Sequence, residues 1–474
     1  MALVTSVVIV GGGPGGYEAA LVAAQLGATV TVVDRDGLGG SAVLTDCVPS
    51  KALISVASVM AQAGAGGALG VRDGSGPLRS SALSVDLAQV NARITALTQA
   101  QSDDIEERLG RDGIRVIHGT GRIVDAQTVH VNERSGAERM VEADVVLLAT
   151  GARPRTLAGA EPDGDRILTW EQLYGLTELP ERLIVVGSGV TGAEFASAYR
   201  ELGSDVVLVS SRDHVLPGED TDAARVIEDV FASRGMTVMG RSRAAAAVRH
   251  GEGVRVTLDD GRTVDGSHCL MAVGSIPNTD DLGLDAAGVR LTESGHIEVD
   301  RVSRTSVRGV YAAGDCTGVL MLASVAAMQG RIAMWHALGD AVAPLDVGAV
   351  SSAVFTDPEI ATVGATQRDL DEGRIRAIAL LLPLATNARA KMLGLEHGFV
   401  KLFARSGTRI VVGGVVVAPR ASELIHSIAL AVDQRLTVDQ LALTFTVYPS
   451  LSGSIAEAAR RLHVMGTESA AASE

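Results

Sequence analysis

Two glycine-rich turns are the stretches of this chain whose residue types and spacing are best suited to chemistry. Both follow the pattern G-x-G-x-x-G, with glycines at Gly11, Gly13 and Gly16 and at Gly187, Gly189 and Gly192. The first glycine of such a turn permits a tight bend, the second lets the backbone approach a pyrophosphate, and the third lets a helix pack closely on a strand. The helix N-terminus adds favourable charge. Each turn is predicted to bind a dinucleotide; a glycine turn made only for tight packing is the alternative.

The elements around the turns form an internal repeat. Residues 7–34 and 183–210 align without a gap, and each runs as an apolar strand, the glycine turn, an alanine-rich helix, a glycine stop and a second apolar strand. This order is typical of the βαβ unit of dinucleotide-binding domains. A lone turn is weak evidence in a chain with 54 glycines, but its position between a strand and a helix in both copies is specific. Two such units predict two dinucleotides and electron transfer between them.

The two copies differ where their second strand ends. Asp34 ends this strand in the first copy, and a carboxylate there accepts hydrogen bonds from a ribose 2′-hydroxyl and repels a 2′-phosphate. The second copy has Ser210, followed by Ser211 and Arg212, which remove the repulsion and supply donors suited to a phosphate. We predict that the second site accepts NADPH, alone or alongside NADH. The alternative is that Arg212 is only a solvated turn residue.

Composition narrows the class of protein. A chain of 474 residues predicts two or three domains, and a net charge of −15 argues against a nucleic-acid partner, because phosphate binding needs clustered Lys and Arg. The apolar runs are shorter than the roughly 20 residues of a membrane span, and the N-terminus lacks the charged region of a signal peptide. The three cysteines, Cys47, Cys269 and Cys316, show no disulfide framework or metal-ligand spacing. A cytoplasmic protein without a membrane span or a metal is predicted.

Further sequence motifs are distributed along the chain, from residue 39 to residue 432. In order, they are GGSAVLTDCVPSK at 39–51, VVLLATGARPR at 145–155, LMAVGSIPNT at 270–279, GVYAAGDC at 309–316, FTDPEIATVG at 355–364 and ASELIHSIALAV at 421–432. With these motifs, the chain resembles the pyridine nucleotide-disulfide oxidoreductase family, which includes lipoamide dehydrogenase, glutathione reductase and mercuric reductase. Ser275 stands where this family usually has arginine.

The resemblance implies an α/β fold with two Rossmann-like dinucleotide-binding domains, for FAD and NAD(P), and a C-terminal α+β dimerisation domain. The FAD domain would span residues 1–155 and 281–345, and the NAD(P) domain residues 156–280. The interface domain would span residues 346–474 and end in a short disordered tail, GTESAAASE. The resemblance also implies a homodimer in which the partner's C-terminal segment completes each active site.

The resemblance also assigns cofactor-binding residues, among them an aspartate expected to hydrogen-bond the ribityl chain of FAD, here Asp315. The implied FAD-binding residues are Gly11, Gly13, Pro14, Gly15, Gly16, Asp34, Gly39, Gly40, Ser41, Lys51, Thr150, Gly151, Gly314 and Asp315. The implied NAD(P)-binding residues are Gly187, Gly189, Val190, Thr191, Gly192, Glu194, Ser210, Ser211, Arg212 and Gly274.

The thiol chemistry of the family is broken at two motifs. The family reads G-G-T-C-x-x-x-x-C-x-P-S-K where this chain has Ala42 and Cys47, so one sulfur of the redox disulfide is missing. The family's H-x-H-P-T-x-S-E is here TVYPSLSG, with Tyr448 in place of the catalytic histidine and Gly453 in place of the glutamate that orients it. A phenol cannot replace imidazole as an acid–base for thiols near neutral pH. We predict that the chain is neither a lipoamide dehydrogenase nor a glutathione reductase.

The flavin-reducing half of the machinery is retained. Lys51 and Glu194 match the family's ion pair beside the flavin nitrogen that accepts hydride, where a cation favours the anionic reduced ring; the alternative is a pair of unrelated surface charges. For Cys47 two alternatives stay open. It is either a thiol or thiolate packed on the flavin, or a small residue buried in a pocket.

These residues predict that NAD(P)H reduces FAD and that reduced FAD passes its electrons directly to a small acceptor in a ping-pong reaction. With the first sulfur and the imidazole gone, the pocket has room and an aromatic wall at Tyr448, which suits a quinone. The resemblance is strongest to the family's NAD(P)H:quinone reductases. The alternatives are a soluble pyridine nucleotide transhydrogenase, a mainly non-catalytic binding protein, and a reductase whose partner supplies the exchange thiol.

Overall fold

The computed structural model describes residues 4–74, 76–79 and 82–471. The first glycine turn follows a strand of its first sheet. The strand order of this sheet is β19–β8–β1–β2–β5–β6–β7. These strands are, in chain order, β1 (Ser6–Val10), β2 (Thr29–Asp34), β5 (Arg115–Asp125), β6 (Thr128–Glu133), β7 (Glu138–Glu142), β8 (Val145–Leu148) and β19 (Val310–Ala312). The strands from β19 to β5 pair in parallel, and β5, β6 and β7 form an antiparallel meander. The chain therefore returns to this sheet after residue 300.

The second sheet is built on the second glycine turn and is parallel throughout, with the order β10–β17–β11–β12–β13. Its strands are β10 (Ile167–Leu168), β11 (Arg182–Val186), β12 (Asp205–Val209), β13 (Thr237–Met239) and β17 (His268–Met271). An antiparallel sheet lies beside it, formed by β14 (Ala244–His250), β15 (Gly253–Leu258) and β16 (Thr263–Gly266). A ribbon of β9 (Ala152–Pro154) and β18 (Ser275–Pro277) links the first and second sheets.

The third sheet is antiparallel, with the order β20–β21–β24–β23–β22. Its strands are β20 (Ser351–Val354), β21 (Glu359–Gly364), β22 (Ala377–Pro383), β23 (Phe399–Arg405) and β24 (Val411–Ala418). Helices of the same region are α9 (Gln367–Asp371), α10 (Ala388–Met392), α11 (Ala421–Asp433), α12 (Val438–Leu443) and α13 (Gly453–Ala471). Helix α13 continues into the predicted disordered tail as far as residue 471. The disorder of the tail stays a prediction, and residues 472–474 lie outside the described residues.

The other helices surround the parallel sheets. They are α1 (Pro14–Gln25), α2 (Gly40–Leu44), α3 (Cys47–Ala65), α4 (Leu87–Arg111), α5 (Val190–Leu202), α6 (Thr221–Ser233), α7 (Leu284–Ala287) and α8 (Ala323–Ala337), with short 3₁₀ turns at Gly66–Leu69, Trp170–Gly175, Asp315–Thr317, Val347–Ala349 and Leu384–Thr386. A small hairpin pairs β3 (Arg72–Asp73) with β4 (Gly76–Pro77). Helices α1 and α8 pack closely, because a Cβ on Gly330 would lie 2.1 Å from the carbonyl oxygen of Gly15.

These elements form the predicted fold class, α/β with two Rossmann-type units and a C-terminal α+β unit. The strands of both parallel sheets are apolar runs because both of their faces are covered, one by helices and the other by antiparallel strands. Strands β1 and β11, for example, are buried from their second residue onward. The predicted domain boundaries at residues 155, 280 and 345 fall between the described strands, and they stay predictions.

A buried ion cluster joins the second and third sheets. Lys401 on β23 donates hydrogen bonds of 2.9 Å to both Asp220 and Asp222 at the start of α6, and its side chain is almost completely buried. Arg234 adds a second link to Asp357, at 2.9 Å. Breaking such a buried pair would leave an uncompensated charge at a cost of about 3–5 kcal/mol, so these contacts hold the two regions in one arrangement.

One helical stretch, Gly40–Leu69, is long and apolar enough to cross a membrane by length and composition alone, within the part of the chain that the structure describes. The sequence prediction of no membrane span considered uninterrupted apolar runs, and this stretch carries Asp46 and Lys51. A single candidate of this kind is weak evidence for a span, since core helices meet the same criteria.

Candidate active site

A cavity of about 1150 Å³ opens beside the carboxyl ends of the parallel strands of the first sheet. Ligands of doubly wound α/β proteins bind at this end of the strands. Its wall combines the first glycine turn, the α2–α3 region and the two segments that follow β8 and β19. Residues of these four segments in the wall include Gly11, Gly12, Gly13, Pro14, Gly15, Gly40, Ser41, Ala42, Asp46, Cys47, Thr150, Gly151, Gly314 and Asp315.

The three glycines of the first turn have different neighbours. Gly11 has a φ of +104°, and a Cβ there would lie 2.2 Å from the carbonyl oxygen of Ala149. A Cβ on Gly16 would lie 1.9 Å from the oxygen of Gly11. A Cβ on Gly13 would have the Cα of Gly40, 3.9 Å away, as its nearest neighbour. The outer glycines are therefore required by the protein itself, and the middle one leaves space for a ligand.

The second turn repeats this arrangement. A Cβ on Gly187 would lie 2.1 Å from the oxygen of Ala272, and one on Gly192 would lie 1.9 Å from the oxygen of Gly187. No described atom lies within 4 Å of the Cβ position at Gly189. The turn is followed by α5, where Val190 is exposed and Thr191 is half-buried. The structure therefore offers a second open glycine turn at a helix N-terminus.

Asp34 holds the first turn in place. One of its carboxylate oxygens accepts a 2.7 Å hydrogen bond from the Gly12 amide, and the other accepts hydrogen bonds from the amides of Asp36 and Gly37. A carboxylate accepts about four hydrogen bonds, so Asp34 can hold the turn and still accept one from a ribose hydroxyl in the cavity that it lines.

The corresponding serine in the second unit is used differently from our prediction. Ser210 is completely buried, and its hydroxyl forms a 2.7 Å hydrogen bond with the hydroxyl of Ser188 and accepts one from the Arg212 amide. A buried hydroxyl must find partners inside the protein, so Ser210 supports the turn through Ser188, and its predicted contact with NAD(P) stays a prediction. Of the residues predicted to donate hydrogen bonds to a phosphate, Ser211 and Arg212 are therefore the two that are exposed to solvent.

The loops beside the first turn approach it closely. Gly39 and Gly40 have φ values of +93° and +56°, and a Cβ on Gly40 would lie 2.8 Å from the Cα of Gly13. Ser41, the next residue, is exposed and lines the cavity. The loop that follows β8 is held by the Thr150 hydroxyl, which donates to the carbonyl of Asn278 at 2.7 Å.

The remaining predicted cofactor residues lie at similar bends. Gly151 and Gly274 have positive φ values, and the Gly274 carbonyl accepts a hydrogen bond from the Arg155 amide. The Gly314 amide donates to Gln329 at 2.8 Å. Asp315 has no hydrogen-bond partner for its carboxyl group among the described residues, and burial raises its pKa to about 6. The cavity therefore holds a half-buried carboxyl group without a hydrogen-bond partner among the described residues.

Lys51 and Glu194 meet at the junction of the three sheets. The Lys51 ammonium donates a 2.9 Å hydrogen bond to one oxygen of Glu194, and the other oxygen accepts one from the Phe355 amide. Burial lowers the pKa of Lys51, but the neighbouring Glu194 carboxylate outweighs it, so that the net pKa is raised. Lys51 also lies over the Phe355 ring, 4.9 Å from its centroid. These two residues are a partly buried ion pair and not separate surface charges.

Cys47 lies in the same cavity, at the first residue of α3. All three cysteines are free, and Cys269 and Cys316 are fully buried. Burial, followed by the charge of Asp46, raises the pKa of the Cys47 thiol to about 11. Of the two forms predicted for a flavin contact, the structure favours the protonated thiol over the thiolate. Within the described residues, no cluster of three or more His, Cys, Asp and Glu is placed to hold a metal ion.

Tyr448 is not brought to this cavity within one chain. Its side chain is 85% exposed, and it belongs to an exposed apolar segment that also contains Leu443, Phe445 and Val447. Ala42, in contrast, lies in the cavity wall near Cys47. A single chain therefore supplies the cavity and the ion pair but leaves its predicted aromatic wall elsewhere.

Two polar residues of this region were missed by the sequence analysis. Asp46 lines the cavity, and no described residue forms a hydrogen bond or an ion pair with its carboxyl group. The hydroxyl of Tyr174 is buried and also lacks a partner among the described residues. Asp46 could have been found from its position next to Cys47, whereas nothing in the sequence marks Tyr174.

The fold and this site define a flavoprotein oxidoreductase, and comparison with known proteins agrees. Residues 5–330 match the pyridine nucleotide-disulphide oxidoreductase family, and residues 350–459 match its dimerisation domain. The chain belongs to this family. Its members use FAD and NAD(P)H, and the cavity fits such a group, since it leaves Gly13 open and the Asp315 carboxyl group without a protein partner.

Individual relatives cover nearly the whole chain. A protein of Mycobacterium tuberculosis named NAD(P)H dehydrogenase (quinone) is 54% identical over 97% of this chain and 94% of its own length. The crystal structure of LpdA from the same organism matches with a TM-score of 0.92 at 54% identity, covering 97% of this chain and all of that one. Dihydrolipoyl dehydrogenase 2 of Haloarcula marismortui is 35% identical over 96% of both chains.

The different surroundings of the glycines give a test of the cofactor site. We expect Gly13→Ala to fold but to bind FAD poorly, because the new Cβ has room within the protein and takes up space left for the ligand. Gly11→Ala should fail to fold stably, because its Cβ would overlap the Ala149 carbonyl. Flavin absorbance per polypeptide and circular dichroism of both variants check this. A fully flavinated Gly13→Ala would contradict it.

Proposed function

We propose that this chain is an FAD-dependent NAD(P)H:quinone oxidoreductase. The observation that carries the proposal is a cavity whose wall contains Ala42 and Cys47, so that no disulfide can form there, next to an intact ion pair of Lys51 and Glu194 that interacts electrostatically with Cys47. The name of the M. tuberculosis relative, which is 54% identical, supports the same activity.

When bound, FAD would accept a hydride from NAD(P)H and supply the electrons for the acceptor. The chain would hold FAD with the first glycine turn, Asp34 and Asp315, and the nicotinamide nucleotide with the second turn. Lys51 stays protonated because Glu194 raises its pKa. Lys51 interacts electrostatically with Asp46 and Cys47 of the cavity wall, and a permanent cation beside the cavity would stabilise negative charge that develops there on reduction. The role of this residue is therefore electrostatic, and it does not exchange a proton.

The cavity also lacks the groups that would pass electrons to a disulfide. Thiol exchange requires an accessible thiolate, and Cys47 is a protonated thiol whose pKa is about 11. Ala42 provides no second sulfur, and Gly453 provides no carboxylate to orient a base. A small acceptor must therefore enter the cavity itself, and Tyr448 of a second copy would supply the aromatic wall that suits a flat quinone.

We further infer a homodimer in which Tyr448 acts in the partner's site. The exposed segment from Leu443 to Tyr448 carries Phe445 and Val447 with their side chains in solvent. Such a patch marks an interaction surface, and the segment lies within the part of the chain that matches a dimerisation domain. A second copy that covers it would bury these side chains and add the aromatic ring that one chain lacks.

The nucleotide preference is also a proposal. Arg212 is exposed and lies just beyond β12. The corresponding strand of the first unit, β2, ends in the acidic residue Asp34. Arg212 makes no ion pair with any described residue. A guanidinium binds phosphate strongly, so we propose that Arg212, together with the exposed Ser211, favours NADPH over NADH.

The acceptor is tested by a panel of substrates under anaerobic conditions. NADPH should reduce the flavin, and a naphthoquinone should reoxidise it faster than oxygen does, whereas lipoamide and glutathione disulfide should not turn over. Cys47→Ser should keep most of the quinone activity, because the thiol takes no part in the transfer. Turnover with an NAD analogue but with no quinone would instead indicate a transhydrogenase.

For Arg212→Ala we expect a fall of about 10- to 100-fold in kcat/KM for NADPH, since hydrogen bonds to charged groups contribute about 1.5–3 kcal/mol. The value for NADH should change little. Arg225→Ala, on the exposed side of α6, is a matched control that should leave both values unchanged. Equal losses with NADPH and NADH would show that Arg212 does not contact the 2′-phosphate.

The shared site is tested with mixed dimers. Lys51→Met and Tyr448→Ala should each lower quinone turnover when present in both subunits. A dimer with one subunit of each kind, purified with two tags, should recover about half of the wild-type turnover, because one of its two equivalent sites is then complete. A mixed dimer as inactive as its parents would instead show that Tyr448 acts in the site of its own subunit, and full activity of Tyr448→Ala in both subunits would show that it acts in neither.

A further inference from the structure

We propose that the carboxyl group of Asp46 delivers the proton that converts a reduced quinone into the hydroquinone. This inference rests on the proposed function. It assigns to Asp46 the acid–base role that the histidine and glutamate of the thiol-exchanging relatives would have, and that Tyr448 and Gly453 cannot provide.

The position of Asp46 supports this role. It is the residue before Cys47, it lines the cavity, and it is the N-cap residue of α3. An aspartate at this position usually accepts a hydrogen bond from the first turn of its helix, but the Asp46 carboxyl group makes no such bond. Among the described residues, no amide of the helix, no base and no cation is bonded directly to this half-buried carboxyl group. It is therefore free to interact with a ligand in the cavity.

The surroundings of this group raise its pKa. Burial raises the pKa of Asp46, and the more distant Lys51 ammonium lowers it by a smaller amount. The other titratable groups that interact with Asp46 are Cys47, Glu171, Tyr174 and Asp315. A carboxyl group with a raised pKa remains protonated to a higher pH than an exposed aspartate, and its donor form is lost as the pH rises through that pKa.

The neighbouring groups are less suited to donate a proton. Cys47 is a weak acid with a pKa of about 11. Lys51 is engaged by Glu194, and Glu171 accepts a hydrogen bond from the Thr45 hydroxyl. Asp315 is the residue assigned to the ribityl chain of FAD. Asp46, in contrast, takes part in neither of these hydrogen bonds and has no assigned contact with FAD.

The chemistry balances with one proton per turnover. Reduction of a quinone to a hydroquinone takes a hydride and a proton, and NAD(P)H supplies only the hydride. In the proposed step the O–H bond of Asp46 breaks as an O–H bond forms on the quinone oxygen, and Asp46 then takes a proton from water. The overall reaction is NAD(P)H, a proton and quinone giving NAD(P)⁺ and hydroquinone.

The test compares Asp46→Asn with the wild-type holoenzyme in separate half-reactions. Reduction of the flavin by NADPH should be unchanged, whereas its reoxidation by a naphthoquinone should slow about 100-fold, the lower range of general acid catalysis. Reoxidation by ferricyanide, which takes no proton, should be preserved. Asp46→Glu should restore part of the quinone rate. Asp86→Asn, at the exposed N-cap of α4, is the matched control and should behave as wild type.

A second measurement does not depend on any acceptor. Reduction adds negative charge to the cavity and so increases the proton affinity of a nearby carboxyl group. The flavin midpoint potential of the wild-type protein should therefore fall more steeply with pH than that of Asp46→Asn, over the range in which Asp46 titrates. If quinone fails as an acceptor of the wild-type protein, the proposed function is wrong, and this slope still decides whether Asp46 exchanges a proton.

Three results would overturn the inference: quinone reoxidation of Asp46→Asn at the wild-type rate and with the wild-type pH profile, equal slowing with quinone and ferricyanide, or identical slopes of potential against pH. The second result would show that Asp46 affects electron transfer in general. The flavin content of each variant establishes that the cavity is formed.

Discussion

The structure depends on one buried carboxylate, that of Glu194. Its two oxygens bind the Lys51 ammonium on α3 and the Phe355 amide just before β21, while Glu194 itself lies on α5. A buried charge is tolerated only when it is paired, so the three regions must meet at this residue for any of them to be stable there. The same requirement keeps a cation at the place where the cofactor cavity and the second nucleotide site approach each other.

The loss of the thiol machinery and the retention of this ion pair have one physical meaning. In the proposed reaction electrons would enter through the two nucleotides, because the cation and the glycine turns are present. They would not leave through sulfur, because Ala42 carries none and the pKa of the Cys47 thiol is raised to about 11. The groups that remain for the proposed reaction are the Lys51 ammonium, the Asp46 carboxyl group, which has no hydrogen-bond partner among the described residues, and the aromatic ring that a second copy would bring.

The two glycine turns show how one repeat serves two purposes. In each, a residue at the end of the second strand supports the turn from behind, through Asp34 and Gly12 in the first unit and through Ser210 and Ser188 in the second. The exchange of a carboxylate for a hydroxyl therefore preserves the support and removes a negative charge. In the proposal made above, recognition of a 2′-phosphate falls to the exposed Arg212 next to it.

The sequence by itself determined the glycine turns, the strands and helices around them, the family and the missing thiol machinery, because these depend on local sterics and on which atoms a residue carries. Gly11, for example, tolerates no other residue type at its turn. Only the tertiary structure decided that Ser210 is buried, that the Asp46 carboxyl group has no hydrogen-bond partner among the described residues, that Tyr448 lies away from its own cavity and that α13 extends into the predicted tail. Whether a side chain is buried, paired or exposed depends on contacts between segments that are far apart in the chain. A local sequence pattern does not indicate which distant segments will come into contact.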